Sequence, residues 1–171
     1  MKINIEAQKE GYLKLVELCV GESKRHNLVD FIKSLKDYNG DVNYVTTLNY
    51  VKDYLDRNSI HFIMALDWKQ GIDDLVWRVK SALRDNFDLA IELPNPAVYG
   101  ERASVSYKNV FKDFDSALKL QNFKIGFIDT DADEYVIIIH KAIDEKEIVE
   151  AVQKIGYIYL DSHSPKINNE N

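Results

Sequence analysis

The sequence is poor in the residues that mark several protein classes. Its 171 residues include one cysteine, Cys19, three prolines and seven glycines. The single cysteine excludes an internal disulfide framework and a CxxC metal site, and the low proline and glycine content excludes collagen-like and low-complexity chains. No apolar run approaches the roughly 20 residues that a membrane-spanning helix needs, and residues 1–15 lack the pattern of a signal peptide. We therefore expect a cytoplasmic protein without a membrane partner.

Basic residues are also fewer than acidic residues. Lysine and arginine total 22 against 28 aspartates and glutamates, so the net charge is −6. Proteins that bind nucleic acid concentrate positive charge to displace phosphate counterions, and we expect no nucleic-acid partner here. The negative charge is local, because residues 129–150 contain eight acids and two lysines. Those near residue 145 fit the start of a predicted helix, which leaves Asp131, Asp133 and Glu134, with Asp129, as an acidic hairpin tip.

Signatures of the well-marked enzyme classes are missing. The chain contains no GxSxG, GxxxxGK[ST] or GxGxxG motif, and its four histidines show neither HExxH nor HxH spacing. The spacing Asp129-x-Asp131-x-Asp133 looks like the start of a calcium loop, but Glu134 and His140 occupy the positions where such a loop has glycine and glutamate. We expect no metal and no cofactor. These absences do not exclude an enzyme whose residues converge from distant segments.

Apolar periodicity predicts the secondary structure. Three short amphipathic helices are expected within residues 1–58, followed by a region of mixed strands and helices. Strands are predicted at 60–66, 88–93, 123–128, 135–140 and 157–160, and helices at 72–85, from residue 110 and from residue 148. From Asp88 onward the order is strand, helix, strand, strand, helix, strand, which is typical of the ferredoxin-like split βαβ fold.

These elements predict an α+β fold. Residues 59–161 form a ferredoxin-like core extended by one strand–helix unit, which residues 60–85 supply. Residues 1–58 form a helical N-terminal segment packed on that core. The polar residues 162–171 are expected to form a frayed tail.

Two regions outside the hairpin are candidate binding sites. Trp77 points away from the apolar face of its helix, so either the N-terminal helices cover it, which we favour, or it anchors a partner. Asp67 and Trp68 follow the first strand, and ligands often bind beyond strand ends. Tyr99 and Arg102 lie in the long irregular segment 94–106, a length that is often functional.

The sequence supports two hypotheses of function. The first is a non-enzymatic interaction or regulatory module that binds another protein, such as a basic one, through the Trp77 face or the acidic hairpin. The second is a small-molecule-binding domain or weakly marked enzyme. Its site would lie between Asp67-Trp68 and the 94–106 loop, with Arg102 as an anion anchor. The sequence does not indicate an oligomeric state.

The segment Phe123–His140, with the following helix and Gly156-Tyr157, resembles the C-terminal half of a bacterial family that is a domain of unknown function. The segment Asp67-Trp68-Lys69, with Trp77 downstream, is similar to the N-terminal part of that family. The resemblance covers roughly residues 60–160. It implies a protein of the bacterial cytoplasm and supplies no catalytic residues.

Overall fold

The structure is a computed structural model that describes residues 4–168. Within them lie the helices α1 (Ile5–Cys19), α2 (Glu22–Lys33), α3 (Thr47–Arg57), α4 (Ile72–Phe87), α5 (Val110–Lys119), α6 (Glu145–Lys154) and α7 (Pro165–Asn168). The strands are β1 (Met64–Asp67), β2 (Phe123–Asp129), β3 (Glu134–Lys141) and β4 (Ile158–Asp161). The predicted mixture of helices with an antiparallel sheet is therefore confirmed.

The sheet contains two interleaved split βαβ units. The strand order is β1-β3-β2-β4, and every neighbouring pair is antiparallel. Helices α4 and α5 connect β1 to β2 around β3, and α6 connects β3 to β4 around β2. The ferredoxin-like arrangement is not confirmed, because in that fold the last strand pairs with the first. Here β4 pairs with β2.

Helices cover both faces of this sheet. Helices α1, α2, α3 and α6 pack on the face that carries Ile128 and Val136, whereas α4 and α5 pack on the face that carries Ile137 and Ile139. Crossovers between parallel strands are almost always right-handed. Both crossovers move two positions in the same direction along the strand order, but β1 and β3, from which they start, run in opposite directions. Two right-handed crossovers therefore place their helices on opposite faces of the sheet.

The predicted strand 88–93 is wrong. Asp88 ends α4 in the left-handed conformation (φ 51°), and the chain then runs on without strand pairing. Leu89, Ile91 and Leu93 contribute to the apolar cluster around α4 and α5 instead. The predicted extra strand–helix unit is also wrong, since β1 and α4 are themselves the first strand and helix of the sheet.

The N-terminal helices pack on the sheet as part of the same core. The predicted apolar stripe of α1, from Tyr12 to Cys19, is buried. A Cβ atom at Gly11 would lie 2.7 Å from the backbone oxygen of Ala151, so the absence of a side chain there lets α1 approach α6. Among the described residues, no helix combines the length and apolar character that crossing a membrane requires.

Residues 162–168 are packed, which corrects the expectation of a frayed tail. Ser162 is fully buried and donates a hydrogen bond from Oγ to Asp115 Oδ2 at 2.7 Å. The side-chain Nδ2 of Asn168 donates to the backbone oxygen of Ser162 at 2.7 Å, and the side chain of Ile167 enters the cluster around α4 and α5. Residues 169–171 lie outside the described part.

Candidate functional site

A cavity of about 320 Å³ opens at the end of the sheet where β2 turns into β3. We call it the hairpin-end cavity. It is lined by residues from the hairpin, from the end of β1, from the 94–106 loop and from the C-terminal helix. They are Trp68, Ser106, Phe127, Ile128, Asp129, Thr130, Ala132, Asp133, Glu134, Tyr135, Val136, Leu160, Lys166 and Ile167.

The cavity has an apolar base and an aromatic residue in its wall. Phe127, Leu160 and Ile167 belong to the core cluster on the α4 and α5 face, so the sheet itself positions them. Trp68 directly follows β1 and keeps 44% of its surface exposed. The ammonium group of Lys69 lies 4.8 Å from the centre of the Trp68 ring. Lys69 therefore makes a cation–π contact with one face of the Trp68 ring.

The charged groups of the cavity are mainly acidic. Asp129, Asp133 and Glu134 line it together with a single lysine, Lys166. The ammonium group of Lys166 contacts Asp129 Oδ1 at 2.6 Å and Asp131 Oδ1 at 2.9 Å. This lysine lowers the pKa of Asp131, and the two carboxylates raise the pKa of Lys166.

Two polar groups at the cavity differ in how they are satisfied. Glu134 forms an ion pair with Lys52, which reaches it from α3 and is 13% exposed. Thr130 Oγ1 is buried and makes no hydrogen bond to any group within residues 4–168. A buried hydroxyl without a partner is uncommon in folded proteins.

The structure brings together parts of the two sites that the sequence separated. Trp68, Asp133 and Glu134 line the same cavity, and Ser106 joins them from the end of the 94–106 loop. Asp131 stands beside the cavity at the hairpin tip, where its side chain is 95% exposed.

Other predicted residues have local partners away from the cavity. Asp67 Oδ1 accepts a hydrogen bond from the Lys69 amide at 2.8 Å, so Asp67 stabilises the turn after β1. The hydroxyl of Tyr99 donates to Asp113 Oδ2 at 2.7 Å and ties its loop to α5. Arg102 is exposed in a turn of this loop and does not line the hairpin-end cavity.

Trp77 is not covered by the N-terminal helices, contrary to the interpretation that we favoured. It remains 56% exposed, and the ring of His61 contacts it edge-on with centroids 5.0 Å apart. Trp77 and His61 line a separate cavity of about 120 Å³ with Arg78. The two tryptophans therefore belong to different surfaces.

Sequence reasoning missed the two lysines that act on the hairpin. Lys166 lies in the segment expected to be frayed, and Lys52 lies in a helix assigned only an apolar face. The sequence did contain one signal that the segment around Lys166 is ordered. Ile167 is an isolated large apolar residue in a polar segment, and Ser164-Pro165 just before it is typical of a helix start.

A second polar cluster lies within the structure at the opposite end of β3. His140 is fully buried, and its Nε2 and the Tyr159 hydroxyl are 2.9 Å apart. Glu145 and Lys124 form an ion pair beside them. Burial lowers the pKa of His140, against smaller opposing effects that include the Glu145 carboxylate. This cluster lines none of the cavities described above and links β3, β4 and α6.

The buried histidine predicts acid sensitivity. The pKa of His140 is lower in the folded state than in the unfolded chain, where a histidine titrates near 6.5. The contribution of His140 to the free energy of unfolding is complete above that pH. It is lost as the pH falls toward the folded pKa, because the unfolded state then binds more protons. We expect His140→Gln to reduce the slope of unfolding free energy against pH by up to about 1.4 kcal/mol per unit below pH ~6.5. Urea unfolding at several pH values measures this slope.

The matched control is the exposed His26 of α2, whose side chain is 86% accessible. His26→Gln is expected to leave the slope unchanged. An unchanged slope in His140→Gln would contradict the assignment of acid sensitivity to the buried histidine.

The fold and the cavity together define a three-layer α/β/α domain with a potential binding site at one end of its sheet. The chain matches the family model described as Domain of unknown function (DUF6630) over residues 6–162, and it therefore belongs to this family. The match includes α1, α2 and α3, so these helices are part of the family domain. No curated protein and no solved structure shows a significant similarity to the chain. Within residues 4–168, no group of three or more acidic, histidine or cysteine residues is arranged to hold a metal ion.

Proposed function

We propose that this protein is a non-enzymatic interaction module that binds a partner protein through a basic side chain placed in the hairpin-end cavity. One observation carries the proposal. The cavity combines an exposed tryptophan, carboxylates and an apolar base in a volume of about 320 Å³. Energetically dominant interface residues are aromatic and basic side chains seated in such desolvated pockets.

The positions of the chain's own lysines support a cationic occupant. Lys69 lies over the Trp68 ring, and Lys166 bridges Asp129 and Asp131. Lysines of the chain itself therefore contact an aromatic ring and carboxylates, which are the two kinds of group that a basic side chain of a partner would contact. The exposed carboxylate of Asp131 adds a field that speeds association with a positive surface.

Charge reversal at Asp133 tests the proposal. Asp133 lines the cavity and is exposed, so Asp133→Lys changes the site without opening the core. A partner is identified by mass spectrometry after gentle purification from the native source. It is then produced separately and titrated against each variant by calorimetry. We expect Asp133→Lys to weaken binding about 30-fold or more, because a lysine there repels the incoming cation.

Glu92→Lys is the matched control. Glu92 is exposed in the irregular segment after α4, and its replacement makes the same change in net charge away from the cavity. We expect this variant to bind as the wild type does. Equal affinity of Asp133→Lys and the wild type would contradict the proposed site.

A second candidate function is the binding of a small cationic molecule, and the cavity volume favours it. About 320 Å³ falls at the lower end of the range of small-molecule sites. A bound mass of a few hundred daltons in native mass spectrometry, with altered emission of Trp68, would support this candidate. A protein-sized addition would support the interaction module.

As part of the main proposal, the complex forms in the bacterial cytoplasm. The family resemblance is to a bacterial domain. Cys19 is buried in the core, and burial raises the pKa of its thiol. A buried, protonated thiol is unreactive and suits a structural role in any compartment that keeps thiols reduced.

A further inference from the structure

We infer that the group entering the hairpin-end cavity is the guanidinium of an arginine of the partner, rather than a lysine ammonium. The inference rests on the proposed function and names the chemistry of its site.

The charge balance calls for a single positive charge. Three carboxylates line the cavity, from Asp129, Asp133 and Glu134. Lys166 pairs with the first and Lys52 with the third. Lys166 also pairs with Asp131, and the ammonium group of Lys69 lies over Trp68, so the cavity and its rim hold four carboxylates and three ammonium groups. One negative charge remains, and Asp133 is the carboxylate that forms no ion pair within residues 4–168. A monovalent cation neutralises it, whereas a divalent ion or a polyamine would leave excess positive charge.

The walls favour a planar, weakly hydrated cation. The base of the cavity is formed by Phe127, Leu160 and Ile167, which cannot replace the water around a compact ammonium group. A guanidinium is less strongly hydrated and can stack flat on an aromatic ring such as that of Trp68.

The acceptors that remain at the cavity are the two oxygens of Asp133. This carboxylate lines the cavity and forms no ion pair with any residue of the described part, 4–168. A guanidinium carries five N–H donors in one plane, so it can stack on Trp68 and still donate sideways to several oxygens. A guanidinium can therefore hold both oxygens of one carboxylate through two parallel N–H donors, which an ammonium group cannot do.

The test compares blocked tripeptides with the full chain. Acetyl-Ala-Arg-Ala-amide is titrated against the labelled protein, with the lysine and citrulline peptides in parallel. Backbone shifts of residues 130–134 and the indole signal of Trp68 are followed by NMR. We expect the arginine peptide to bind at least about ten-fold more tightly than the lysine peptide, with shifts confined to the cavity. The citrulline peptide, which keeps the shape without the charge, is expected not to bind.

Tryptophan variants provide the matched control. Trp68→Ala is expected to weaken binding of the arginine peptide by about ten-fold and to abolish the preference over lysine. Trp77→Ala removes the other exposed tryptophan, which does not line the cavity, and is expected to bind as the wild type does. Comparison of the peptides on the wild-type protein keeps the test valid if Trp68→Ala folds poorly.

Specific outcomes would overturn the inference. Equal binding of the arginine and lysine peptides removes the guanidinium preference, and tighter binding of free arginine than of the blocked peptide points to a metabolite as the source. If the arginine peptide does not bind while Asp133→Lys still disrupts the partner complex, the guanidinium inference fails and the proposed function survives. If both experiments are negative, both fail.

Discussion

Replacing Gly126 by alanine is expected to lower the free energy of unfolding by about 2–3 kcal/mol, the upper part of the ~1–3 kcal/mol range for overpacking a well-filled core. Gly126 lies in the middle of β2, and a Cβ atom there would be 2.4 Å from Cε2 of Tyr159. The ring of Tyr159 crosses this position to bring its hydroxyl within 2.9 Å of His140 Nε2. The added methyl group displaces the ring, so Nε2 of the buried histidine also loses its hydrogen-bond partner, while Nδ1 keeps its contact with the backbone oxygen of Lys141. Urea denaturation measures the difference.

Two comparisons separate this clash from a general cost of removing glycine. A side chain at Gly71 would meet no atom within 4 Å, so Gly71→Ser, which keeps a favourable helix N-cap, is expected to cost less than about 0.5 kcal/mol. In a Tyr159→Ala background the ring is absent, and Gly126→Ala should then cost little. A double-mutant cycle without coupling between positions 126 and 159 would contradict the explanation.

Helices could be predicted from the sequence because their pattern is local. The apolar residues of α1 repeat at helical spacing, and each of the four predicted ones is at most 2% exposed. The segment 88–93 shows the limit of the same reasoning. Its alternation of apolar residues correctly indicates that one side is buried. Alternation does not specify a backbone partner, however, and without one the segment packs on the helices as an irregular chain.

The candidate site could be predicted only in fragments. The acidic hairpin and Trp68 were identified by their residue types, since exposed acids and aromatics are informative without tertiary contacts. Their meeting in one cavity depends on β1 pairing with β3, where Asp67 lies opposite Glu134. The pairing of Lys166 with Asp129 joins residues 37 positions apart. Neither contact follows from a local pattern, so sequence reasoning placed the two halves at separate sites.

Asp115→Ala is expected to destabilise the protein by about 3–5 kcal/mol, because each of the two buried donors that it leaves without an acceptor costs roughly 1–3 kcal/mol. Asp115 is 1% exposed in α5. Its Oδ1 accepts from the amide of Ile125 at 2.9 Å, and its Oδ2 accepts from Ser162 Oγ at 2.7 Å and contacts Lys119 at 3.2 Å. Alanine leaves a buried amide and a buried hydroxyl without an acceptor. Thermal and urea unfolding measure the loss.

Asp113→Ala is the matched control, because it removes the same residue type from the same helix. Asp113 is exposed and accepts one hydrogen bond from Tyr99, so its loss is expected to cost at most about 1 kcal/mol. Similar losses in the two variants would contradict the role of the buried network.

The buried network also connects stability to the proposed site. Ser162 is held by Asp115 and in turn accepts from Asn168 through its backbone oxygen, which fixes the turn of α7. That turn places Lys166 and Ile167 in the hairpin-end cavity. Asp115→Ala is therefore expected to weaken binding of the arginine peptide several-fold under conditions where the variant is fully folded, although Asp115 does not line the cavity. Unchanged binding would show that the cavity keeps its shape without this support.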